Sequence, residues 1–251
     1  MIINIRSPDL SMIAHGFFYK KTNFSTHLSE ELDFAISNFQ PKKTTLENRM
    51  KAAMSINKPT AKLLFINQIH SSKVFTVSKP YNYISENADG LVTNKKNTAL
   101  CILTADCAPI LFFDPQSKII GAAHAGWRGA LNGIAENTID AMVAMGATKT
   151  KITVSLGPCI SKPNYEVGQE FKARFIERNT WAKKFFCVKE NNRFLFDLPG
   201  YIIHRILLHG VKNASWIKIC TYNQNINFHS YRHAIHYNKP CHKRNISIIS
   251  L

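Results

Sequence analysis

No two of the six cysteines stand as a CxxC pair, and none of the ten histidines belongs to a His-X-His pair. The first absence argues against a zinc ribbon or a dense disulfide scaffold. The second leaves the chain short of the ligands that a multicopper centre needs. No apolar run reaches the length of a membrane span, and the opening Met-Ile-Ile-Asn-Ile-Arg-Ser-Pro-Asp lacks the apolar core of a signal peptide. There is no internal repeat and no low-complexity linker. A reducing, cytoplasmic setting and a protein without membrane contact are expected.

Acidic residues are also scarce, with 16 Asp and Glu against 32 Lys and Arg, for a formal net charge of +16. A charge of that size can signal a nucleic-acid partner. Here 23 of the 32 bases are lysines scattered along the chain, and no RRM, KH, helix-turn-helix or zinc-finger signature accompanies them. A solvated basic surface, able to attract anions such as phosphate, is the better reading, and nucleic acid is not an expected partner.

With 45% hydrophobic residues and 16 Phe the chain can bury a large core. Strand-like and helix-like stretches alternate irregularly. Helices are expected over 45–56, 130–145, 168–179 and 198–210, and strands over 63–69, 73–77, 91–93, 99–104, 151–156, 216–220 and 246–251. Residues 21–44 read as a polar surface loop. The pattern predicts an α/β fold, a single domain over 1–251 with mixed central β-sheets flanked by helices.

The stretch around which the rest is organised runs from Ala99 to Gly129. Two apolar runs, 110–113 and 119–123, flank Asp114-Pro115-Gln116-Ser117 and read as an antiparallel hairpin. If Asp114 faces Ser117, paired positions sum to 231, and Cys107 stands opposite His124. A thiol and an imidazole then meet at the open end of the hairpin. They either share a metal ion or form a nucleophile–base pair. His70, at the end of a predicted strand, completes a set of two imidazoles and one thiol suited to catalytic zinc, with a fourth position left open. Asp106 is placed to orient a ligand imidazole. Blue copper also uses two His and one Cys, but no spacing brings a methionine near them. Gly126-Trp127-Arg128-Gly129, between strand and helix, can present amides and Arg128 to an anion. Ser230-Tyr231-Arg232 offers hydroxyls and a guanidinium to phosphate or ribose.

Asn67-Gln68-Ile69-His70, Ala88-Asp89-Gly90-Leu91-Val92-Thr93, Thr104-Ala105-Asp106-Cys107-Ala108-Pro109, His124-Ala125-Gly126-Trp127-Arg128-Gly129, Gly157-Pro158-Cys159-Ile160 and Tyr165-Glu166-Val167-Gly168 occur in this order. With His15-Gly16-Phe17-Phe18 and Asn48-Arg49 before them, and Cys220-Thr221 and Ser230-Tyr231-Arg232 after them, they cover nearly the whole chain. In these motifs the chain resembles the YfiH family, the laccase-domain or polyphenol-oxidase-like proteins, some of which are named peptidoglycan editing factors. The resemblance implies a fold similar to the catalytic domain of cytotoxic necrotizing factor. It implies one zinc on His70, Cys107 and His124, with copper as the possible alternative behind the laccase label. It also implies a purine nucleoside phosphorylase that cleaves adenosine, inosine, guanosine or methylthioadenosine with phosphate, and an adenosine deaminase side activity.

Read with that chemistry, His70, Cys107 and His124 are catalytic as well as metal-binding. His15 is the candidate proton donor to the leaving base. Arg49, Gln68, Arg128, Ser230 and Arg232 are the candidate substrate and phosphate contacts. The expected partners are a purine nucleoside and phosphate, the expected state a monomer or weak dimer. The chain departs from the family at Tyr19-Lys20-Lys21-Thr22-Asn23-Phe24-Ser25, where an arginine and two glycines are usual, and at Lys243-Arg244-Asn245. The first change removes backbone freedom and a forked donor. Three other readings compete: a Cys107–His124 hydrolase or amidase acting on a cell-wall or small amide substrate, a copper-dependent polyphenol oxidase, and a non-enzymatic regulator.

Overall fold

A computed structural model describes residues 2–22, 32–36, 42–78, 86–223 and 227–251. In chain order the strands are β1 (Ile2–Ile5), β2 (Ala14–Thr22), β3 (Lys62–Leu64), β4 (Val74–Val77), β5 (Gly90–Thr93), β6 (Thr98–Thr104), β7 (Ala108–Asp114), β8 (Ile119–Ala125), β9 (Thr153–Leu156), β10 (Glu166–Val167), β11 (Phe186–Val188), β12 (Phe194–Phe196), β13 (Asn213–Trp216) and β14 (Asn245–Ser250). The helices are α1 (Lys42–Ser55), α2 (Trp127–Asn132), α3 (Ile134–Ala144), α4 (Gln169–Arg178), α5 (Leu198–Leu208) and α6 (Tyr231–His236). A five-stranded sheet has the order β1-β2-β14-β6-β3 and a six-stranded sheet the order β13-β9-β7-β8-β5-β4. A small sheet, β10-β12-β11, completes the set. Parallel and antiparallel pairs occur in both large sheets, so the architecture is mixed α/β.

The two large sheets pack face to face, which explains why their strands read as continuous apolar runs. Successive residues of β7 go to opposite layers. Leu111 and Phe113 join Leu100, Ile102 and Ile249 of the five-stranded sheet. Ile110 and Phe112 join Ile134, Ile139 and Met142 of α3 and Tyr201 and Ile202 of α5. The outer face of the five-stranded sheet, with Phe18, Cys101, Ile246 and Ile248, packs on Ala52 of α1 and on Phe34. Four layers result: α1, sheet, sheet, and helices with the small sheet. Among the described residues no helix is long and apolar enough to cross a membrane.

The hairpin forms, but its turn is longer than the expected one. Pro115–Lys118 all lie in the loop, Lys118 takes φ +53°, and the paired positions of β7 and β8 sum to 233, so that Pro109 faces His124 and Asp114 faces Ile119. The cause is Asp114, whose carboxylate accepts the amide hydrogens of Gln116 (2.9 Å) and Ser117 (3.3 Å), and so closes an Asx turn inside the loop. The register error is two residues. Because strands alternate with period two, Cys107 keeps the face of Pro109, and therefore of His124.

Other boundaries also move. The helix expected over 130–145 is broken at Gly133, whose φ of +91° ends α2 and starts α3. The Arg205 guanidinium seals the break by donating to the carbonyls of Ala130 and Leu131 while pairing with Glu136. The strand expected over 63–69 stops at Leu64, the one expected over 216–220 lies at Asn213–Trp216, and Tyr231 and Arg232 open a short helix. Of the segment read as a loop over 21–44, residues 21–22 belong to β2 and 42–44 to α1. Residues 23–31 and 37–41 lie outside the described residues, as do 23–25 of the stretch that departs from the family pattern. Tyr19, at its start, is on β2 and stacks on Phe228 at 4.9 Å.

Asp114 also accepts the amide hydrogen of Thr148 at 2.9 Å. Burial opposes its charge, but these backbone donors outweigh burial and hold the carboxyl below its ordinary range. A carboxyl depressed in the folded state contributes stability above its unfolded pKa, about 3.9, and loses it as the pH falls through the folded value. Asp114→Asn is expected to lower stability at pH 7 by about 1 kcal/mol through the lost acceptor facing Thr148. That difference should close progressively below about pH 4. Urea titrations of both proteins across this range check it, and equal midpoints at neutral pH would contradict it.

Candidate metal centre

One end of the six-stranded sheet gathers segments far apart in sequence. It holds the start of β5, the start of β7, the end of β8 and the chain leaving β9 and β13. Asp89 immediately precedes β5, Cys107 immediately precedes β7, and His124 is the penultimate residue of β8. His70 comes from the connection between β3 and β4, where it takes the left-handed conformation at φ +58°.

The buried carboxylate of Asp89 assembles these parts. Oδ1 accepts from His124 Nδ1 (2.8 Å) and from the His70 amide (3.0 Å). Oδ2 accepts from the amides of Ile69 (3.2 Å) and Ser71 (2.6 Å) and from the Ser71 hydroxyl (2.7 Å). Burial opposes ionisation of Asp89, but the bonds from His124 and Ser71 outweigh it and hold the carboxyl below its usual value. With Nδ1 committed to an acceptor, His124 keeps Nε2 for a ligand. Burial likewise opposes a charge on His124, yet attraction to Cys107 and the bond to Asp89 push its pKa up to about 9. His70 moves the other way, lowered by burial and by the positive charges of His124, Arg128 and Arg244, so its imidazole stays neutral.

The donor atoms of His70, Cys107 and His124 all lie within 4.8 Å of one another. The two imidazoles meet edge to face, with centroids 4.7 Å apart. A tetrahedral zinc at about 2.0–2.3 Å from each donor needs donors roughly 3.5 Å apart, so closing on an ion takes side-chain shifts of roughly an ångström. The backbone makes room for this at Gly126. A Cβ there would stand 2.6 Å from His70 Nδ1 and 3.0 Å from Cys107 Sγ. Two imidazoles, one thiol, an open fourth direction and a carboxylate behind one imidazole form a donor set that fits a metal ion.

Two cavities meet at this trio. An outer cleft of about 650 Å³ is lined by residues that include Gln68, His70, Cys107, His124, His242 and Arg244. An inner chamber of about 260 Å³ is lined by residues that include His70, Cys107, Trp127, Tyr165, Tyr231 and Arg232. His70, Ala105, Cys107 and Tyr231 belong to both walls.

Several residues read from the sequence as site residues are used elsewhere. His15 Nε2 accepts the Ser7 amide hydrogen at 2.7 Å while Nδ1 donates to the Ile13 carbonyl at 2.9 Å, so neither ring nitrogen is free and the proton-donor reading is corrected. Arg49 donates through Nε and Nη2 to the Phe34 carbonyl and lies over the Phe65 ring at 3.8 Å. It is a buried brace for the 32–36 segment, not a phosphate clamp. The Gln68 amide is spent on both backbone groups of Leu103, at 2.7 and 2.9 Å, and so anchors the segment that carries His70. Asp106 does not orient an imidazole; Asp89 does. With φ at +84°, Asp106 instead accepts from the Thr221 hydroxyl (2.6 Å), the Arg232 amide (2.6 Å) and the Ser230 hydroxyl. Ser230 also caps α6 by accepting from the His233 amide, so its hydroxyl is structural. Arg128 is exposed beside Trp127, near enough to act on His70. Arg232 reaches the inner chamber.

Asp89, Tyr165 and Arg244 are the site residues that sequence reasoning missed. Asn87-Ala88-Asp89-Gly90 reads as a turn, and only the burial of its aspartate reveals the second role. Replacing the carboxylate by an amide leaves His124 without a charged partner. Asp89→Asn is expected to weaken metal affinity by about 10- to 100-fold with little change in far-ultraviolet circular dichroism. Competition with a chromophoric chelator measures it, and wild-type affinity would refute the role.

A family model described as "Multi-copper polyphenol oxidoreductase laccase" matches residues 14–249. A purine nucleoside phosphorylase of Rickettsia conorii is 35% identical over 189 residues, covering 74% of this chain and 77% of its own. The purine nucleoside phosphorylase YfiH of Escherichia coli is 32% identical over 187 residues, covering 74% of each. Among solved structures, a Bacillus licheniformis protein designated YfiH superposes with a TM-score of 0.84 at 24% identity, over 96% of this chain and 93% of its own. This neighbour shares the mixed α/β fold.

Proposed function

Because the chain belongs to the multi-copper polyphenol oxidoreductase laccase family, the family of YfiH, we propose that it is a zinc-dependent purine nucleoside phosphorylase. The observation that carries this reading is the three-donor centre at the junction of two cavities, one of them walled by Arg232 and the other by Arg244. A nucleoside that spans the junction brings its glycosidic bond to the trio. Relatives named as purine nucleoside phosphorylases support the substrate class.

In phosphorolysis a phosphate oxygen forms a bond to ribose C1′ as the C1′–N9 bond breaks. The electron pair leaves with the purine, which takes up a proton. The protein must hold an anion against the ribose and stabilise charge on the base. Arg128, Arg232 and Arg244 supply positive charge around the cavities. The Asp89–His124 bond fixes one imidazole ring, and the Asp89–His70 amide bond fixes the backbone of the other. When bound, zinc supplies a Lewis acid at the open position. Deamination of adenosine, in which water replaces the C6 amino group and ammonia leaves, belongs to the same proposal as a side activity. Adenosine, inosine, guanosine and methylthioadenosine are the proposed substrates.

A second reading draws on one specific observation. Cys107 hydrogen-bonds His124, and His124 is held by Asp89, an order of groups that suits nucleophilic catalysis on an amide. That chemistry does not use His70. Polyphenol oxidation draws less support, since the described residues hold only one cluster of three or more His, Cys, Asp or Glu side chains and no methionine lines either cavity beside it.

Metal-characterised protein is expected to release free base from inosine only when phosphate is present. His124→Ala and His70→Ala should each lower that rate at least about 100-fold, the scale of a lost metal contribution. Chromatography of base and nucleoside reads the outcome. Base release that survives His70→Ala would favour the Cys–His reading, and no release from any of the four nucleosides would overturn the phosphorylase reading.

A further inference from the structure

The inner chamber is smaller than the roughly 300–1,000 Å³ of pockets that enclose a whole ligand. Its 260 Å³ suits one fragment of a nucleoside. Three aromatic residues, Trp127, Tyr165 and Tyr231, stand around it. Flat apolar walls of this kind favour a planar heterocycle over a ribose or a phosphate.

Besides His70 and Cys107 of the trio and Asp106, whose carboxylate is already hydrogen-bonded, the polar side chains of Tyr165 and Arg232 line that space. The Tyr165 hydroxyl has no hydrogen-bond partner among the described residues, although its ring packs on Phe171 and Phe196. A phenol is protonated at neutral pH, so the group is a hydrogen-bond donor. The Arg232 guanidinium lies 5.4 Å from the Tyr165 ring centre. Its Nη1 donates to the Glu166 carbonyl at 3.1 Å, and its backbone amide is pinned by Asp106. The head is thus held against the chamber with donors to spare. Nothing in phosphorolysis as derived above uses Tyr165.

Resting on the phosphorylase reading, we infer that the inner chamber is the purine-base subsite, with Tyr165 hydrogen-bonding the base and Arg232 selecting bases that carry an oxygen at C6. A 6-oxopurine presents two adjacent acceptors, N7 and O6, to these two groups. Adenine presents one acceptor and an amino donor. A hydroxyl can adapt to either pattern, but a guanidinium only donates. Phosphate then approaches from the outer cleft, on the side of Arg244.

The test uses base binding, which needs no turnover. Hypoxanthine and adenine are titrated calorimetrically into metal-characterised wild type and Tyr165→Phe. The wild type is expected to bind hypoxanthine about tenfold more tightly than adenine, and Tyr165→Phe to bind both about tenfold more weakly with unchanged metal content. Equal affinity of the two proteins, or no binding to either, overturns the inference. Equal affinity for the two bases in the wild type overturns the role given to Arg232. Should Tyr165→Phe lose its metal, Arg232→Lys carries the test, and its expected result is loss of the hypoxanthine preference; an intact preference overturns it. Tyr165-dependent binding of hypoxanthine by a protein that releases no base from inosine would sink the phosphorylase reading and uphold the subsite.

Discussion

One buried carboxylate governs the centre. Asp89 accepts five hydrogen bonds, three of them from consecutive backbone amides around His70 and one from the His124 ring. An isolated ion in this position would cost several kcal/mol, and only a full set of donors offsets that. The loop must therefore fold onto β5 before the charge is satisfied, and once it has done so both imidazoles are in place. The unusual backbone of His70 follows from the same demand, because three successive amides can converge on one carboxylate only if the chain curls around it.

Asp106 plays the matching part on the other side of Cys107. It is nearly fully buried, and it binds Thr221, Ser230 and the Arg232 amide. The segments that follow β13 and precede α6 are thereby tied to the sheet end, 115 and 126 residues away in sequence. Cys107 sits between two anchored acids, with Gly126 leaving the space that its sulfur and the His70 ring occupy. The two cavities are a consequence of this plan. The outer cleft lies between the His70 loop that Asp89 holds and the C-terminal residues His242 and Arg244, and the inner chamber is walled by Asp106 itself.

Much of this was legible in the residues, and the failures have identifiable causes. The hairpin was visible because both faces of β7 and β8 are apolar. Its register was off by two because Asp114 closes an Asx turn that keeps Ser117 and Lys118 in the loop, yet the period of two preserved the face of Cys107. The layer structure was not legible, since a strand buried between two layers carries no alternation to say which layer is which. Arg49, Gln68 and His15 are polar residues in motifs that resemble a family's site, and nothing local distinguishes a group that touches substrate from one that satisfies backbone. Only the partners decide: Phe34 for Arg49, Leu103 for Gln68, Ser7 and Ile13 for His15. Asp89 was hidden for the opposite reason. Asp-Gly before an apolar run is a common turn signal, and its burial depends on a loop that pairs with it across 18 to 20 residues.

The centre's chemistry rests on a mixed sulfur and nitrogen donor set, poised by Asp89 and left open on the side of the cavities. The most direct measurement is X-ray absorption at the zinc edge on protein loaded with one equivalent of zinc. The account predicts one sulfur scatterer at about 2.3 Å and two imidazole nitrogens at about 2.0–2.1 Å, with a remaining light-atom ligand. A first shell without sulfur, or with a single imidazole, would contradict it.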